Sequence, residues 1–174
     1  MEKIVVMGVS AGVGKSTFAA KLGKKLSLPV YHLDSYYWKP GWVEAAPEEF
    51  KVNQETIVQT DKWIIDGNYT ATAGVRLKEA DTLIYLELPL PVCLYRVLKR
   101  WLINIGRTRP DLAEGCPEKM DWAFLKFIVT TYSARKVKMR ERMKAFQNVR
   151  PGNTVIFLTS KKQIADFLKD VAKV

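Results

Sequence analysis

The sequence has few of the residues that cross-link small secreted proteins or build metal centres. It contains two cysteines, Cys93 and Cys116, and one histidine, His32, among 174 residues. Neither cysteine belongs to a CxxC pair or to another metal-ligand spacing, which argues against a disulfide framework and against a zinc finger. We therefore expect two reduced thiols without a catalytic role, and we interpret His32 as a structural residue of a buried strand.

A long hydrophobic run is also missing. The apolar stretch at residues 4–10 is far shorter than the roughly 18 residues that a membrane span needs, and no cationic leader precedes an apolar segment. Hydrophobic residues make up 48% of the chain and charged residues 26%, which is typical of soluble globular proteins and not of disordered chains or coiled coils. The sequence therefore predicts one cytoplasmic domain, residues 1–174, without membrane contact.

Positive charge is concentrated in one third of the chain. The formal net charge is +10, and residues 95–150 alone carry 14 basic and 5 acidic side chains. A local cationic region is typical of a protein that binds an anion, either a nucleotide or a nucleic acid. A solvated basic helix face is the simpler alternative.

Short apolar runs rich in β-favouring residues alternate with helical patterns. Between the first two runs, residues 16–26 repeat Phe18, Leu22 and Leu26 every four positions, which predicts an amphipathic helix. Pro47 and Pro91 suit the first turns of helices that run toward residues 59 and 105, and the longest helical pattern covers 121–146. This alternation predicts an α/β fold of three layers, with helices on both faces of a parallel sheet. The candidate strands are 4–7, 30–33, 63–65, 83–86 and 155–158.

The strongest chemical signal is the sequence GVSAGVGKST at residues 8–17, between the first strand and the first helix. Glycines let backbone N–H groups turn toward a phosphate, and the helix N-terminus adds its positive end. A lysine supplies a mobile positive charge, and a hydroxyl can ligate magnesium. We therefore predict a phosphate-binding loop (P-loop) for a nucleotide, with Ser16 as a metal ligand. The expected binding residues are Gly12, Val13, Gly14, Lys15, Ser16 and Thr17.

The entry to this loop departs from the usual pattern. Five residues lie between Gly8 and Gly14 where the pattern has four, and Val9 occupies the position of the expected first glycine. Because the spacing of Gly12, Gly14 and Lys15 is kept, the departure concerns the entry of the loop more than its phosphate-binding end.

Further motifs extend this signal along the chain: YHLD at 31–34, WKPGW at 38–42, WIIDGNY at 63–69, RVLKR at 96–100 and GRTRP at 106–110. Together with the loop, they resemble the bacterial topology modulation protein (FlaR-like) family, which is itself similar to adenylate kinase and other small P-loop kinases. The resemblance covers almost the whole chain. It implies a P-loop NTPase fold with a five-stranded parallel sheet, ATP as the nucleotide, and a phosphotransferase whose acceptor is a small molecule or a nucleotide.

Two carboxylates follow predicted strands. Asp34 and Asp66 are expected at the carboxyl edge of the sheet beside the P-loop, where phosphoryl transfer needs a held magnesium ion and a positioned acceptor. By similarity to nucleotide kinases, Asp66 would hold Mg²⁺ with Ser16. Asp34 would then face the acceptor, and either orient it or accept its proton. The alternative is that each carboxylate caps a turn or a helix.

Arginines are the expected cations for the transferring phosphoryl group, because a guanidinium keeps its charge. The stretch 104–120 is rich in glycine, proline and charge, and we predict a lid-like segment that is mobile without nucleotide and closes on Mg-ATP. The basic run at 135–144 is interpreted as an amphipathic helix with a solvated face, or as a contact to a phosphate backbone. Among the candidates Arg76, Arg96, Arg100, Arg107 and Arg109, the ones assigned to catalysis with Lys15 and Asp34 are Arg100, Arg107 and Arg109.

Aromatic residues cluster just after Asp34, within a predicted acceptor-binding insert at 35–60. Tyr36, Tyr37, Trp38 and Trp42 either stack on a ring of the acceptor or anchor the loop by local packing. Two functions fit these features. The first is an ATP- and Mg²⁺-dependent kinase, and the second is a nucleic-acid-binding protein that uses region 95–150 and ATP as a switch.

Overall fold

The computed structural model describes residues 1–109, 111–119 and 121–171. The positions Pro110 and Met120 of the predicted lid-like segment, and residues 172–174 of the predicted domain, lie outside the described residues. The order of elements is β1 (Lys3–Gly8), α1 (Lys15–Leu26), β2 (Val30–His32), α2 (Leu33–Tyr37), β3 (Trp38–Lys39), β4 (Val43–Glu44), α3 (Pro47–Val58), β5 (Trp63–Asp66), α4 (Ala73–Glu79), β6 (Thr82–Leu86), α5 (Leu90–Ile103), α6 (Trp122–Val149), β7 (Thr154–Leu158) and α7 (Lys161–Asp170).

Five strands form one parallel sheet in the order β2-β5-β1-β6-β7. The central strands are apolar on both faces because helices cover both, and β1, β5 and β6 are almost completely buried. The expected α/β fold with a five-stranded parallel sheet flanked by helices is thus confirmed. No helix of the described residues is long and apolar enough to cross a membrane.

The strand order places the P-loop at the centre of the carboxyl edge. Strand β1 lies between β5 and β6, so the loop that follows it is flanked by the ends of both neighbours. In the register, Asp66 is level with Val6 on one side and with His32 on the other. The fold therefore brings the end of β5 beside the start of α1.

Five of the elements given above were not expected from the sequence. Helices α2, α4 and α7 add to the four predicted helices, and β3 and β4 form an antiparallel hairpin with Trp38 opposite Glu44. Because α2 begins at Leu33, Asp34 lies in the first turn of this helix, two residues after the end of β2.

Candidate active site

The P-loop packs directly against the start of α5. Gly12 has a φ of 76°, and a Cβ atom at this position would lie 2.2 Å from the carbonyl oxygen of Cys93. From the same helix, Arg96 Nη1 donates a hydrogen bond to the carbonyl oxygen of Val13 at 2.8 Å. Helix α1 begins at Lys15 directly after the loop, so its free N–H groups face the space above the loop.

The extra residue at the entry of the loop continues the hydrogen bonding between β1 and β6. The Val9 N–H donates to the carbonyl oxygen of Leu86 at 2.9 Å, which extends the pairing of β1 and β6 by one residue. The side chain of Asn68 bonds both backbone groups of Gly8, accepting from its N–H at 3.0 Å and donating to its carbonyl at 2.8 Å. Val9 is therefore buried directly after β1, and the phosphate-binding turn begins after it.

Gly8 fits this arrangement because the loop folds back over it. A Cβ atom at Gly8 would lie 2.5 Å from Cγ1 of Val13. The close approach accounts for a glycine one position earlier than the usual pattern has it.

Lys15 extends into a site that contains charges of both signs. Its Nζ donates to the carbonyl oxygen of Ser10 at 3.3 Å. Burial lowers the pKa of Lys15, and the nearby positive charge of Arg135 lowers it further, whereas Asp34 and Asp66 act in the opposite direction. The P-loop lysine, both predicted carboxylates and an arginine of α6 therefore lie within electrostatic range of one another.

Asp66 is held at both carboxylate oxygens. Ser16 Oγ donates to Oδ2 at 3.0 Å, and Nδ1 of His32 lies 2.5 Å from Oδ1. The carboxylate side chain is only 4% exposed, and its hydrogen bond raises the pKa of His32. The structure thus brings the two predicted metal residues together. It also shows that His32 contacts Asp66, the residue that the sequence predicts to hold magnesium.

Asp34 faces the same space from α2. The Tyr69 hydroxyl donates to Asp34 Oδ1 at 2.7 Å. Burial, followed by the charge of Asp34, raises the pKa of Tyr69, so this hydroxyl stays a donor. The ring of Tyr69 packs against Tyr37 and Phe50 at centroid distances of 4.7 and 4.8 Å.

The arginine candidate Arg76 is a structural residue. It is completely buried, and its Nη2 donates to the carbonyl oxygens of Gly67, Asn68 and Tyr69 at 3.1 to 3.4 Å. Its Nη1 donates to Oε1 of Gln54 at 2.8 Å. Burial lowers the pKa of Arg76 to about 9. The side chain holds the loop after β5 against α3 and does not reach the phosphate site.

The loop, both carboxylates and three residues of the aromatic cluster, Tyr37, Trp38 and Trp42, line one cleft of about 1640 Å³, whereas Tyr36 is not among its lining residues. All six predicted nucleotide-binding residues line it, as do Asp34, Asp66, Arg100 and Arg109. Arg107 is exposed and is not among the described residues that line the cleft. Ten cationic and six acidic side chains of the described chain border this space, which suits a polyanionic ligand.

Comparisons of the sequence with known proteins find one uncharacterized relative that covers most of the chain. No family model matches the chain. It is 27% identical over 143 residues to the uncharacterized protein YqaC of Bacillus subtilis (strain 168), covering 81% of this chain and 78% of that protein.

Solved structures of kinases superpose on nearly the whole chain. A shikimate kinase from Acinetobacter baumannii in complex with shikimate has a TM-score of 0.52 and 13% identity over 99% of this chain and 92% of that one. A putative kinase from Chloroflexus aurantiacus has a TM-score of 0.53 and 15% identity over 99% and 98%. A gluconokinase from Sinorhizobium meliloti has a TM-score of 0.52 and 13% identity over 99% and 94%. The chain has the fold of small P-loop kinases. Membership of the FlaR-like family stays a prediction.

Three basic residues of the long helix α6 line the cleft, although the sequence had been interpreted to place them on a solvated face. Arg135 and Arg142 are half-buried and line the cleft together with Lys138. Burial lowers the pKa of both arginines. The helical period of the sequence could have indicated this shared role, because positions 135, 138 and 142 lie on one face of a helix.

The other basic residues of α6 lie on a different face. Lys136 and Arg140 bind Glu87 at 2.9 and 3.7 Å. The positive charge of region 95–150 is thus divided between the cleft and the outer surface. Binding of a nucleic acid to this region stays a prediction.

The segments predicted as an acceptor-binding insert and as a lid are in contact. The Gly41 N–H donates to the carbonyl oxygen of Gly115 at 2.8 Å, and the Trp42 indole N–H donates to the carbonyl oxygen of Pro117 at 3.0 Å. The Cys116 thiol lies 3.2 Å from the carbonyl oxygen of Lys39. The β3-β4 hairpin therefore covers the end of the cleft together with residues 115–117.

Proposed function

We propose that the protein is an ATP-dependent kinase that transfers the γ-phosphoryl group of Mg-ATP to a small-molecule or nucleotide acceptor. The observation that carries this proposal is the convergence of Lys15, Ser16, Asp34 and Asp66 on one cleft above the P-loop. A phosphate-binding loop beside two carboxylates of different surroundings supplies the two halves of a transfer site, one for the nucleotide and one for the acceptor.

The nucleotide half is formed by the loop and α1. Backbone N–H groups of residues 12–17 would bind the β- and γ-phosphates, and Lys15 would neutralise part of their charge. Arg135 adds a second cation near Lys15. Arg96 holds the loop through the Val13 carbonyl oxygen and lines the same space.

The donor set fits a magnesium ion that is shared with a nucleotide. Mg²⁺ is commonly held by one or two protein oxygens, with phosphate oxygens and water completing its octahedron. Ser16 and Asp66 offer a hydroxyl and a carboxylate that lie 3.0 Å apart, and His32 already orients the carboxylate. Bound there, the ion would neutralise charge that develops on the phosphate oxygens.

The acceptor half is formed by Asp34 and the residues around it. The Tyr69 hydroxyl occupies one oxygen of Asp34 and leaves the other free to accept a hydrogen bond from an acceptor hydroxyl. In the transfer, the acceptor oxygen forms a bond to the γ-phosphorus while the bond to the β-bridging oxygen breaks. The hydroxyl proton passes to the Asp34 carboxylate, and the products are ADP and a phosphate ester.

A comparison of two variants tests this division of roles. An ADP-release screen of nucleosides, nucleotides and sugars first identifies an acceptor. Asp66→Asn is then expected to raise the Mg²⁺ concentration for half-maximal activity at least tenfold. Asp34→Asn is expected to lower kcat at least a hundredfold with an unchanged dissociation constant for Mg-ATP.

The exposed Asp61, just before β5, supplies a matched Asp61→Asn control that should behave as the wild type. A changed magnesium requirement in Asp34→Asn alone would mean that the roles are reversed. Mg-ATP binding without transfer to any acceptor would contradict the proposed activity.

A further inference from the structure

The arginines that line the cleft differ in how they are partnered. At the P-loop end, Lys15, Arg96 and Arg135 form no ion pair with any carboxylate of the described chain. Arg96 instead donates to a backbone carbonyl, and the Arg135 guanidinium lies 4.5 Å from the centroid of the Phe127 ring. These cations are available to a polyphosphate.

At the other end, the two arginines are neutralised by carboxylates. Glu118 binds Arg100 Nε at 2.9 Å and Arg109 Nε at 2.7 Å, and Asp111 binds Arg109 Nη1 at 2.7 Å. The Glu118 and Arg109 side chains are only 5% and 12% exposed. These four side chains, here called the charge quartet, have no net charge.

The charge quartet lies on the acceptor side of the cleft. All four of its side chains line the same cleft as Asp34, Trp38 and Trp42. Glu118 follows Pro117, whose carbonyl oxygen binds the Trp42 indole. An anionic group entering here would meet Asp34 and would have to displace Glu118 or Asp111 from a half-buried or buried arginine.

The remaining wall at this end is aromatic. Trp38 and Trp42 both line the cleft, with ring centroids 5.4 Å apart and planes at 70°. Trp42 is fixed by its indole hydrogen bond, and Lys119 lies 5.5 Å from its ring centroid. Fixed indole rings offer large apolar faces, which favour a flat or CH-rich ring and give little to a phosphate.

We propose that the phosphate acceptor is an uncharged, hydroxyl-bearing ring compound, and not a nucleotide or another acceptor with a phosphate or carboxylate group. This inference rests on the proposed kinase function and narrows its acceptor class. The neutral charge quartet and Asp34 select against anions, Trp38 and Trp42 contact the ring, and the free oxygen of Asp34 accepts the hydrogen bond of the reacting hydroxyl.

Matched pairs of acceptors that differ only in charge test the inference. Each pair is the neutral amide and the free carboxylate of one hydroxylated ring compound, so that every hydroxyl is kept: a uronic acid, a nucleoside with a carboxyl group on its base, and an aromatic alcohol with a carboxyl group on its ring. A nucleoside 5′-monophosphate is assayed in addition as a nucleotide acceptor. ADP release is measured for each compound with saturating Mg-ATP, and tryptophan fluorescence reports binding with Mg-ADP. The neutral member of at least one pair is expected to be phosphorylated with a kcat/KM at least a hundredfold above its anionic partner.

A variant that changes the charge of the quartet tests whether this charge selects the acceptor. A purely structural role of the quartet would leave the ratio of anionic to neutral kcat/KM unchanged. Glu118→Gln gives the charge quartet a net positive charge and should raise the ratio of anionic to neutral kcat/KM at least tenfold. Asp111→Asn should act in the same direction if Glu118→Gln does not fold. Glu114→Gln changes an exposed residue of the same segment, outside the cleft lining, and should leave the ratio unchanged.

The outcomes separate this inference from the proposed function. Transfer to anionic members at an equal or higher kcat/KM, or an unchanged ratio in both charge variants, would overturn the neutral acceptor and leave the kinase function intact. Failure of every member, neutral and anionic, with normal Mg-ATP binding would contradict the kinase function itself.

Discussion

At the scale of single residues, the site depends on side chains that hold backbone in place. Asn68 binds both backbone groups of Gly8, and Arg76 binds three successive carbonyl oxygens beneath Asp34 and Asp66. His32 holds one oxygen of Asp66. None of these contacts involves the atoms proposed to react. Each fixes a segment that leads to the P-loop, to Tyr69 or to Asp66, and such preorganisation is what transfer chemistry requires.

Gly12 allows a direct test at this scale. Gly12→Ala is expected to reduce Mg-ATP affinity at least a hundredfold and to destabilise the fold by about 2 kcal/mol or more, because the new methyl group meets the Cys93 carbonyl oxygen at a positive φ. Calorimetric titration and thermal unfolding measure the two effects.

Gly74 supplies the matched control. It lies in α4, and a Cβ atom there would meet no atom within 4 Å. Gly74→Ala should leave affinity unchanged and stabilise the protein by about 0.5 to 1 kcal/mol, since alanine gives the unfolded chain fewer conformations than glycine does. Equal behaviour of the two variants would show that the loop is not packed against α5 as described.

At the scale of elements, α6 links the two halves of the site. It runs for 28 residues, and its inner face contributes Arg135 near Lys15 while Met139, Met143 and Phe146 pack into the core. The position of the arginine is therefore fixed by a buried helix face and not by a flexible loop.

This placement makes a prediction for the transfer step. Arg135→Gln should lower kcat/KM at least thirtyfold, because a cation beside Lys15 stabilises charge on the phosphates. Lys144→Gln, on the exposed part of the same helix, should have no effect in the same steady-state assay. Equal losses in both variants would indicate a general effect of positive charge instead of a contact in the cleft.

The hairpin and the lid-like segment are expected to respond to nucleotide as one unit. Because hydrogen bonds join Gly41 to Gly115 and Trp42 to Pro117, amide exchange should slow in residues 38–44 and 104–119 together when Mg-ATP binds. Exchange in the central strand β6 serves as the reference and should not change. Protection of neither segment, or of only one, would contradict the coupling.

At the scale of the whole molecule, the sheet could be predicted from sequence because its strands are continuous apolar runs. All five candidate strands are present within two residues of their expected ends. The P-loop could be predicted for a related reason, since Gly12 through Thr17 form a local motif whose chemistry does not depend on distant residues.

The features that the sequence did not predict depend on tertiary contacts. Helix α4 is seven residues long and is anchored by the buried Arg76, whose partners lie on α3 and on the loop after β5. The pairing of Arg100 and Arg109 with Glu118 joins residues up to 18 positions apart. Propensity and spacing do not reveal such contacts, and the arginines were consequently expected to be free for phosphate.

The proposed phosphoryl transfer depends on nucleotide binding at the P-loop, and titration of Mg-ATP into wild-type protein and Lys15→Ala tests this binding most directly. We predict saturable binding at one site in the wild type. In Lys15→Ala we expect affinity at least a hundredfold lower and a melting temperature within about 2 °C of the wild type, because the lysine serves the site more than the core. Equal Mg-ATP affinity in the two folded proteins would contradict the central claim.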